Sequence, residues 1–269
     1  MNAAAPSDKS GRISTSFPPL VLGPVQALSA AMSYQGARPY NEDRLGRADR
    51  SDAVFWALAD GLGGHKGGAR ASELAVQSSL QYAGRSSVPR LEDRLKQAVS
   101  DAHAAIRVEQ KIQEDLADMR STLVLLGMTA TDVAWAHCGD SRLYQFRGGH
   151  QLLRTKDHSA VQMLVAAGEV AEEDIPRHPG RSRLVSCLGS NSSLLINARS
   201  TGLPPAAGDA YLLCSDGVRE HLDKSSLETI VAGSAGPEAL LAALDAHILS
   251  VQHPEQDNYT AVAVYLTSA

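Results

Sequence analysis

Three acidic residues stand at the ends of apolar runs in this 269-residue chain. Asp60 ends one run and is followed by glycines at positions 61, 63, 64, 67 and 68, Asp216 ends a second run, and Asp257 shortly precedes a third that begins at Tyr259. A carboxylate at the end of a rigid strand, beside backbone that can approach a ligand closely, is typical of a site for a hard cation. A single Asp-Gly pair is more typical of a hairpin turn, but the repetition favours the cation site.

A polar loop carries a further group of charged side chains. The stretch YQGARPYNEDRLG places Arg38, Glu42 and Asp43 within six residues of one another. One interpretation is a solvated turn. The other is an arginine that binds phosphate, beside carboxylates that reach a metal directly or through water.

The periodicity predicts the elements that must position these residues. Strands are expected at 25–33, 53–59, 121–129, 132–138, 142–146, 194–200, 209–215 and 259–266, and helices at 69–82, 89–114, 159–167, 225–232 and 237–250. This order is not the strand–helix alternation of a parallel sheet. It predicts an α+β fold in which helices are layered on antiparallel sheets. In the turn CGDSR, we expect Asp140 to brace the hairpin and not to bind a ligand.

Composition narrows the class of protein. A net charge of −5, without clustered Lys and Arg, argues against nucleic-acid binding. Three widely spaced cysteines lack metal-ligand spacing and indicate reduced, cytosolic thiols. No window is apolar for long enough to predict a membrane span. Residues 1–24 are rich in Ala, Ser and Pro and predict a flexible tail, which leaves residues 25–269 as a single domain.

Seven motifs follow one another along the chain: GARPYNEDR, ALADGLGGHKGG, DMRSTLV, AHCGDSR, TKDHS, LLCSDGV and DNYTAV. Each is weak alone, but the ordered set resembles the metal-dependent protein phosphatases of the PPM, or type 2C, family in its bacterial-type branch. The resemblance spans Val25 to Leu266. It implies a four-layer αββα sandwich, two stacked antiparallel sheets flanked by helices, with a flap at about residues 155–190.

The resemblance implies a set of metal ligands at matching positions. Asp60 would bridge two Mg²⁺ or Mn²⁺ ions, and the carbonyl of Gly61 would bind one of them. Asp216 and Asp257 would complete the shell of the other ion, and Glu42 would hold metal-bound water. Carboxylate, carbonyl and water oxygens are the ligands that hard divalent cations prefer.

The same resemblance assigns further roles and exposes two departures. Arg38 would bind the substrate phosphate, Asp43 would lie near the Glu42 water, and Asp118 would bind a third, weaker ion. Arg120 stands where the family more often has Gly, and a cation there would repel the third ion or contact substrate. The position suspected of holding a general acid in many eukaryotic members is Leu62 here, and His65 is a nearby candidate.

The implied reaction is metal-dependent hydrolysis of phosphoserine and phosphothreonine in proteins by a water that bridges the two ions. The expected partners are phosphorylated proteins and a Ser/Thr kinase whose signalling the enzyme reverses. We expect a cytoplasmic monomer that binds no nucleic acid and has no membrane span. The alternative is a regulatory or binding module with the phosphatase fold and little catalysis. Such modules lose metal ligands, whereas this chain keeps Asp60, Asp216 and Asp257.

Overall fold

The strands that carry the acidic residues belong to two stacked sheets in the computed structural model, which describes residues 13–62, 66–251 and 253–269. The strands are β1 (Ile13–Leu22), β2 (Val25–Tyr34), β3 (Arg44–Asp49), β4 (Ala53–Ala59), β5 (Gly61–Leu62), β6 (Arg120–Ser121), β7 (Leu123–Thr129), β8 (Val133–Cys138), β9 (Arg142–Arg147), β10 (His150–Arg154), β11 (Asn197–Ser200), β12 (Asp209–Cys214) and β13 (Tyr259–Ser268). The α-helices are α1 (Lys66–Arg85), α2 (Leu91–Ile112), α3 (Ala160–Ala166), α4 (Asp216–Arg219), α5 (Lys224–Ala232) and α6 (Pro237–Val251). Short 3₁₀ turns span Glu114–Leu116 and Glu172–Arg177.

The two sheets are antiparallel and pack face to face. One has the strand order β1-β2-β13-β12-β9-β10 and the other β11-β8-β7-β4-β3. Apolar side chains from both sheets fill the space between them, among them Trp56, Leu126, Leu213 and Val262. Burial of such large side chains supplies the main stabilisation of the sandwich.

Helices cover both outer faces. Helices α1 and α2 pack on the sheet that contains β4, and α2 buries Leu95, Val99 and Ile106, which recur at helical spacing. On the other sheet, α5 and α6 cover the strands with Leu227, Leu240 and Leu244 as part of a third apolar cluster. All seven residues of β4 are buried because helices cover one face of this strand and a sheet covers the other. The predicted four-layer α+β architecture is confirmed.

The prediction of a flexible tail up to residue 24 is wrong for its second half. Residues Ile13–Leu22 form β1, which pairs antiparallel with β2 at the edge of the sheet. The two prolines that suggested a tail, Pro18 and Pro19, lie where the pairing register shifts between Phe17 and Leu20. An edge strand tolerates proline at such an irregularity because no ladder hydrogen bond is required there. Residues 1–12 lie outside the described chain.

The predicted flap contains regular structure. It contains α3, whose N-cap is Ser159, and the 3₁₀ turn, and it is fastened to the turn between β8 and β9. There the His158 N–H donates to the Gly139 carbonyl at 2.9 Å, and Val185 N–H donates to the His158 carbonyl at 2.8 Å. In the described part of the chain, no helix is both long and apolar enough to span a membrane.

Candidate active site

Asp60 is held rigidly at the end of β4. Its N–H donates to Thr122 Oγ1 at 2.9 Å, and its carbonyl accepts from the Thr122 N–H at 2.8 Å and from Ser121 Oγ at 2.9 Å. Thr122 Oγ1 also lies 2.7 Å from Ser141 Oγ, which ties the next hairpin to the same point. Because the backbone of Asp60 is fixed on both sides, its half-buried carboxylate is oriented by the sheet and not by a mobile loop.

Asn258 fastens the charged loop between β2 and β3 to the start of β13. Its Oδ1 accepts from the Glu42 N–H at 2.8 Å, and its Nδ2 donates to the carbonyls of Gln35 at 2.7 Å and Tyr40 at 2.9 Å. The Asn258 N–H in turn donates to Asp257 Oδ1 at 2.8 Å. One buried amide therefore sets the position of the loop relative to the Asp257 carboxylate.

Arg38 and Asp257 form an ion pair at the rim of the site. Nη2 of Arg38 lies 2.6 Å from Oδ2 of Asp257, and the two side chains are 57% and 32% exposed. The hydrogen bond and the charge of Asp257 raise the pKa of Arg38, with smaller contributions from Asp216 and Glu42. Exposed pairs of this kind contribute little stability and exchange readily. The guanidinium is therefore available to another anion that enters the cleft.

Asp43 lies beneath the cleft in a buried network of hydroxyl groups. Its Oδ2 accepts from Ser215 Oγ at 2.8 Å, and the Ser215 hydroxyl oxygen also accepts from the Thr260 N–H at 3.0 Å. Thr260 Oγ1 lies 2.8 Å from Ser33 Oγ. No described N–H or O–H group donates to Oδ1 of Asp43. Ser215, just before α4, therefore joins Asp43 to β13.

Asp216 and Asp140 lie at the same end of the first sheet, where β12 ends and the neighbouring strand β9 begins. Asp216 is the first residue of α4, and Asp140 lies in the turn between β8 and β9. Nη2 of Arg219 donates to Oδ2 of Asp140 at 2.7 Å, and both side chains are buried. Beside them, Arg142 forms a two-pronged pair with Asp157 at 2.8 and 2.7 Å. Two buried ion pairs thus lie next to the carboxylates of the cleft, and Asp140 belongs to one of them.

Burial and mutual repulsion raise the pKa values of these carboxylic acids. Burial raises the pKa of Asp60 well above its usual range, and the charges of Asp43 and Asp216 raise it further. Burial, followed by the charge of Asp140, raises the pKa of Asp216 to about 8. Burial also raises the pKa of Asp140, although Arg219 opposes the shift. Carboxylates so close together repel one another, and a cation placed among them would relieve the repulsion.

Two glycines allow backbone segments to meet at the cleft. A Cβ on Gly61 would lie 2.1 Å from the Gly68 carbonyl oxygen, and one on Gly217 would lie 2.1 Å from the Asn258 carbonyl oxygen. Both contacts are shorter than any carbon–oxygen approach that a side chain tolerates. The Asp-Gly pairs at 60–61 and 216–217 therefore serve close packing at the site, and both glycines have negative backbone φ angles, unlike the left-handed positions elsewhere in the chain.

The predicted site residues, with two exceptions, gather around one cleft of about 510 Å³. Its lining includes Arg38, Glu42, Asp60, Gly61, Asp140, Asp216 and Asp257, and the flap contributes Arg181, Ser182 and Leu184. Asp43 lies just behind it. Asp118 is exposed before β6 and does not line the cleft, whereas Asp140 does. His65 lies outside the described residues.

His158 is a structural residue of the flap. Its ring is buried and stacks on His137 with 4.6 Å between ring centroids, and Nδ1 accepts from the Gly139 N–H at 3.2 Å. Burial lowers the pKa of His158 to about 3. A neutral imidazole in this position holds the turn that carries Asp140.

The donor set suits hard divalent cations. Within the described residues, no three His, Cys, Asp or Glu side chains are grouped tightly enough to enclose an ion by themselves. Mg²⁺ and similar ions are commonly bound through one or two carboxylates and retain several waters. Pairs of carboxylates around an open cleft are suited to this kind of coordination. The repulsion that Asp43 and Asp216 exert on Asp60 further fits the presence of added positive charge.

Comparison with known proteins agrees with this geometry. The sequence profile described as protein phosphatase 2C matches residues 35–239. The Ser/Thr protein phosphatase PstP of Mycobacterium tuberculosis is 33% identical over 223 residues, which are 81% of this chain but only 42% of PstP. The Ser/Thr phosphatase stp of Listeria innocua is 30% identical over 72% of this chain and 78% of its own length. The chain belongs to the protein phosphatase 2C family.

Solved structures show the same architecture. A crystal structure of PstP from Mycobacterium tuberculosis superposes with a TM-score of 0.73 at 31% identity, covering 90% of this chain and 99% of that one. The catalytic domain of PstP with two manganese ions superposes with a TM-score of 0.71 at 28% identity over 91% of this chain and 100% of that one. PppA of Pseudomonas aeruginosa, described as a key regulatory component of the T6SS, gives a TM-score of 0.72 at 30% identity over 89% and 97%.

Proposed function

We propose that this protein hydrolyses phosphoserine and phosphothreonine in other proteins with the help of two Mg²⁺ or Mn²⁺ ions. The observation that carries the proposal is the meeting of Asp60, Asp216 and Asp257, from three distant parts of the chain, at one cleft with Arg38 on its rim. The manganese ions in the related PstP structure support a requirement for metal.

The ions would be held by Asp60, the Gly61 carbonyl, Asp216 and Asp257, with Glu42 acting through water. When bound, two such ions supply positive charge for the phosphoryl oxygens and make water a better nucleophile at neutral pH. Metal-ligand roles of these residues rest on their common cleft and on the family.

The chain's own residues would bind and orient the substrate. Arg38, released from its exposed pair with Asp257, donates paired hydrogen bonds to the phosphate. Asn258 keeps Arg38 and Glu42 in register with Asp257 through its three side-chain hydrogen bonds. Asp43 is a positioning residue, since it contacts Ser215 behind the cleft. These groups align the phosphorus for in-line attack, which is the main protein contribution in phosphoryl transfer.

The relatives support a proposal for the kinase that this protein opposes, and the cysteines support one for its cellular compartment. Bacterial Ser/Thr phosphatases of this family support a role opposite a Ser/Thr kinase, and the description of PppA extends the proposal to kinases that control secretion machinery. The three cysteines are all buried and form no disulfide, which supports a reducing, cytoplasmic compartment. We further propose that the protein acts as a monomer, which size-exclusion chromatography with light scattering would test.

The test of the function is turnover of an aryl phosphate and a phosphothreonine peptide with Mn²⁺, with Mg²⁺ and with chelator. Wild-type protein should turn over both substrates only with metal, and Asp60→Asn should abolish turnover. Asp115→Asn, an exposed change of the same kind in a 3₁₀ turn, is the matched control and should retain activity. Folded wild-type protein that binds metal but turns over neither substrate would refute the proposal and favour a regulatory module.

A further inference from the structure

Asp140 differs from the other carboxylates of the cleft because a buried cation already holds it. Its Oδ2 lies 2.7 Å from Nη2 of Arg219, and the side chains are only 6% and 7% exposed. The pair between Arg38 and Asp257, in contrast, is largely exposed to solvent. Arg38 can therefore exchange partners, whereas Arg219 is enclosed with Asp140.

The backbone fixes Arg219 in this position. Arg219 follows Asp216 by three residues within α4, and residues three apart lie on the same face of a helix. The Arg219 guanidinium contacts Asp140 and lines a neighbouring chamber of about 710 Å³. Asp140 itself lines the cleft, whereas Arg219 is not among the lining residues. The ion pair therefore leaves the cleft open.

A second buried ion pair lies beside Asp140. Arg142, two residues along the chain, lowers the pKa of Asp140, but Asp157, which holds Arg142 in a two-pronged pair, raises it more strongly, so Arg219 supplies the main positive charge at Asp140. Removing one partner of a buried ion pair leaves an uncompensated charge in a region of low dielectric. A divalent ion at Asp140 would have to displace Arg219 or lie close to its fixed guanidinium group, and like charges repel strongly there.

We infer that Arg219 is a built-in cation that occupies Asp140 and thereby limits the cleft to two divalent ions. The inference rests on the proposed two-ion function and specifies how many ions that site accepts. It makes Arg219 a positioning residue for the carboxylate cluster. A third ion, expected from the sequence at Asp118, then has neither Asp118, which lies outside the cleft, nor a free Asp140 to bind it.

The test is the number of Mn²⁺ ions bound by the full-length chain after treatment with chelator and desalting. Free Mn²⁺ is measured by its six-line electron paramagnetic resonance signal during titration, so the readout does not depend on activity. Wild-type protein should bind two ions. Arg219→Met should bind three, and Arg219→Lys, which keeps the positive charge, should bind two. Arg219→Met combined with Asp140→Asn should return to two.

Matched controls separate this effect from a general change of charge. Arg181→Met removes another cation that lines both the cleft and the chamber but contacts Glu220 at 3.5 Å instead of Asp140, and it should still bind two ions. Asp140→Asn alone should also bind two, because the wild-type carboxylate holds no ion. If Arg219→Met does not fold, the comparison of wild-type protein with Asp140→Asn still decides the question.

Two results would overturn the inference. One is three ions in the wild-type protein that fall to two in Asp140→Asn, which would make Asp140 a metal ligand despite Arg219. The other is a folded Arg219→Met protein that still binds two ions. Folded wild-type protein that binds no Mn²⁺ would instead refute the two-ion function itself, and the inference with it.

Discussion

Replacing Asn258 by Ala should weaken both the fold and the site, because this one side chain makes three hydrogen bonds of 2.7 to 2.9 Å that join the charged loop to the start of β13. Asn258 is only 7% exposed, so water cannot fully replace these bonds. A net contribution of about 1 kcal/mol for each bond gives a loss of about 3 kcal/mol in the free energy of unfolding. For a chain of this size, that loss lowers the thermal midpoint by about 6–12 °C.

Urea unfolding followed by circular dichroism measures the loss, and turnover of an aryl phosphate with Mn²⁺ measures the effect on the site. Asn258→Asp keeps the acceptor for the Glu42 N–H but sets a carboxylate against two carbonyl oxygens, so we expect it to be at least as damaging as Ala. Asn197→Ala, on an exposed position of β11, is the matched control and should cost less than about 0.5 kcal/mol. If Asn258→Ala unfolds within 1 kcal/mol of the wild type, about the value of a single hydrogen bond, the amide does not hold the loop and the reasoning fails.

Three further changes test other parts of the structure. Asp60→Asn should raise the thermal midpoint of chelator-treated protein, because the change removes one charge from a cluster of mutually repelling carboxylates. The same change should abolish the increase in midpoint that Mn²⁺ gives the wild type. A lower midpoint than that of the wild type in chelator would contradict the expected relief of repulsion. Gly61→Ala should destabilise the fold by about 3 kcal/mol or more, because the added Cβ would lie 2.1 Å from a carbonyl oxygen. Gly84→Ala is the control, since this glycine lies in α1 and an added Cβ would have its nearest neighbour at 3.9 Å. In the same denaturant assay, Gly84→Ala should stabilise the fold by about 0.5–1 kcal/mol. Burial lowers the pKa of His158 from 6.5 to about 3, so the unfolded chain binds more protons between these pH values. The free energy of unfolding should therefore fall on acidification through this window by up to about 1.4 kcal/mol per pH unit, and a His158→Asn variant should show a shallower dependence; an equal slope in both proteins would count against it.

The acidic residues at strand ends could be predicted from sequence because the signal is local. Asp60 and Asp216 each follow an apolar run directly, and the strand that precedes each one delivers it to the same end of the sandwich. Seven motifs in the expected order indicated the family, and the family implied the two-sheet architecture. The comparisons with known proteins confirm the family and the architecture.

Asp140 could not be assigned in this way because its partner is distant in sequence. Local pattern indicated a residue that braces its own hairpin, whereas the structure pairs it with Arg219, 79 positions away. Nothing in the turn CGDSR indicates which distant cation will meet it. The role of Asp118 stays a prediction from the motif, and the structure adds that this residue is exposed before β6.

The strand β1 was missed for a different physical reason. Two prolines and a polar composition normally argue against a strand, but the edge position and the register shift after Phe17 accommodate them. Whether a segment lies at an edge depends on the neighbours that the whole sheet provides. That information is absent from a window of ten residues.

The placement of β13 has a consequence for biosynthesis. This last strand lies between β2 and β12, pairs with both, and is preceded by Asp257 and Asn258. While the chain is being synthesised, the first sheet has a gap in its middle and the cleft has neither its third strand-end carboxylate nor the amide clamp. Under the proposed function, the nascent polypeptide therefore cannot assemble a working centre until residues 257–268 have left the ribosome, so premature termination before residue 257 should release a product that competes for chaperones but removes no phosphate.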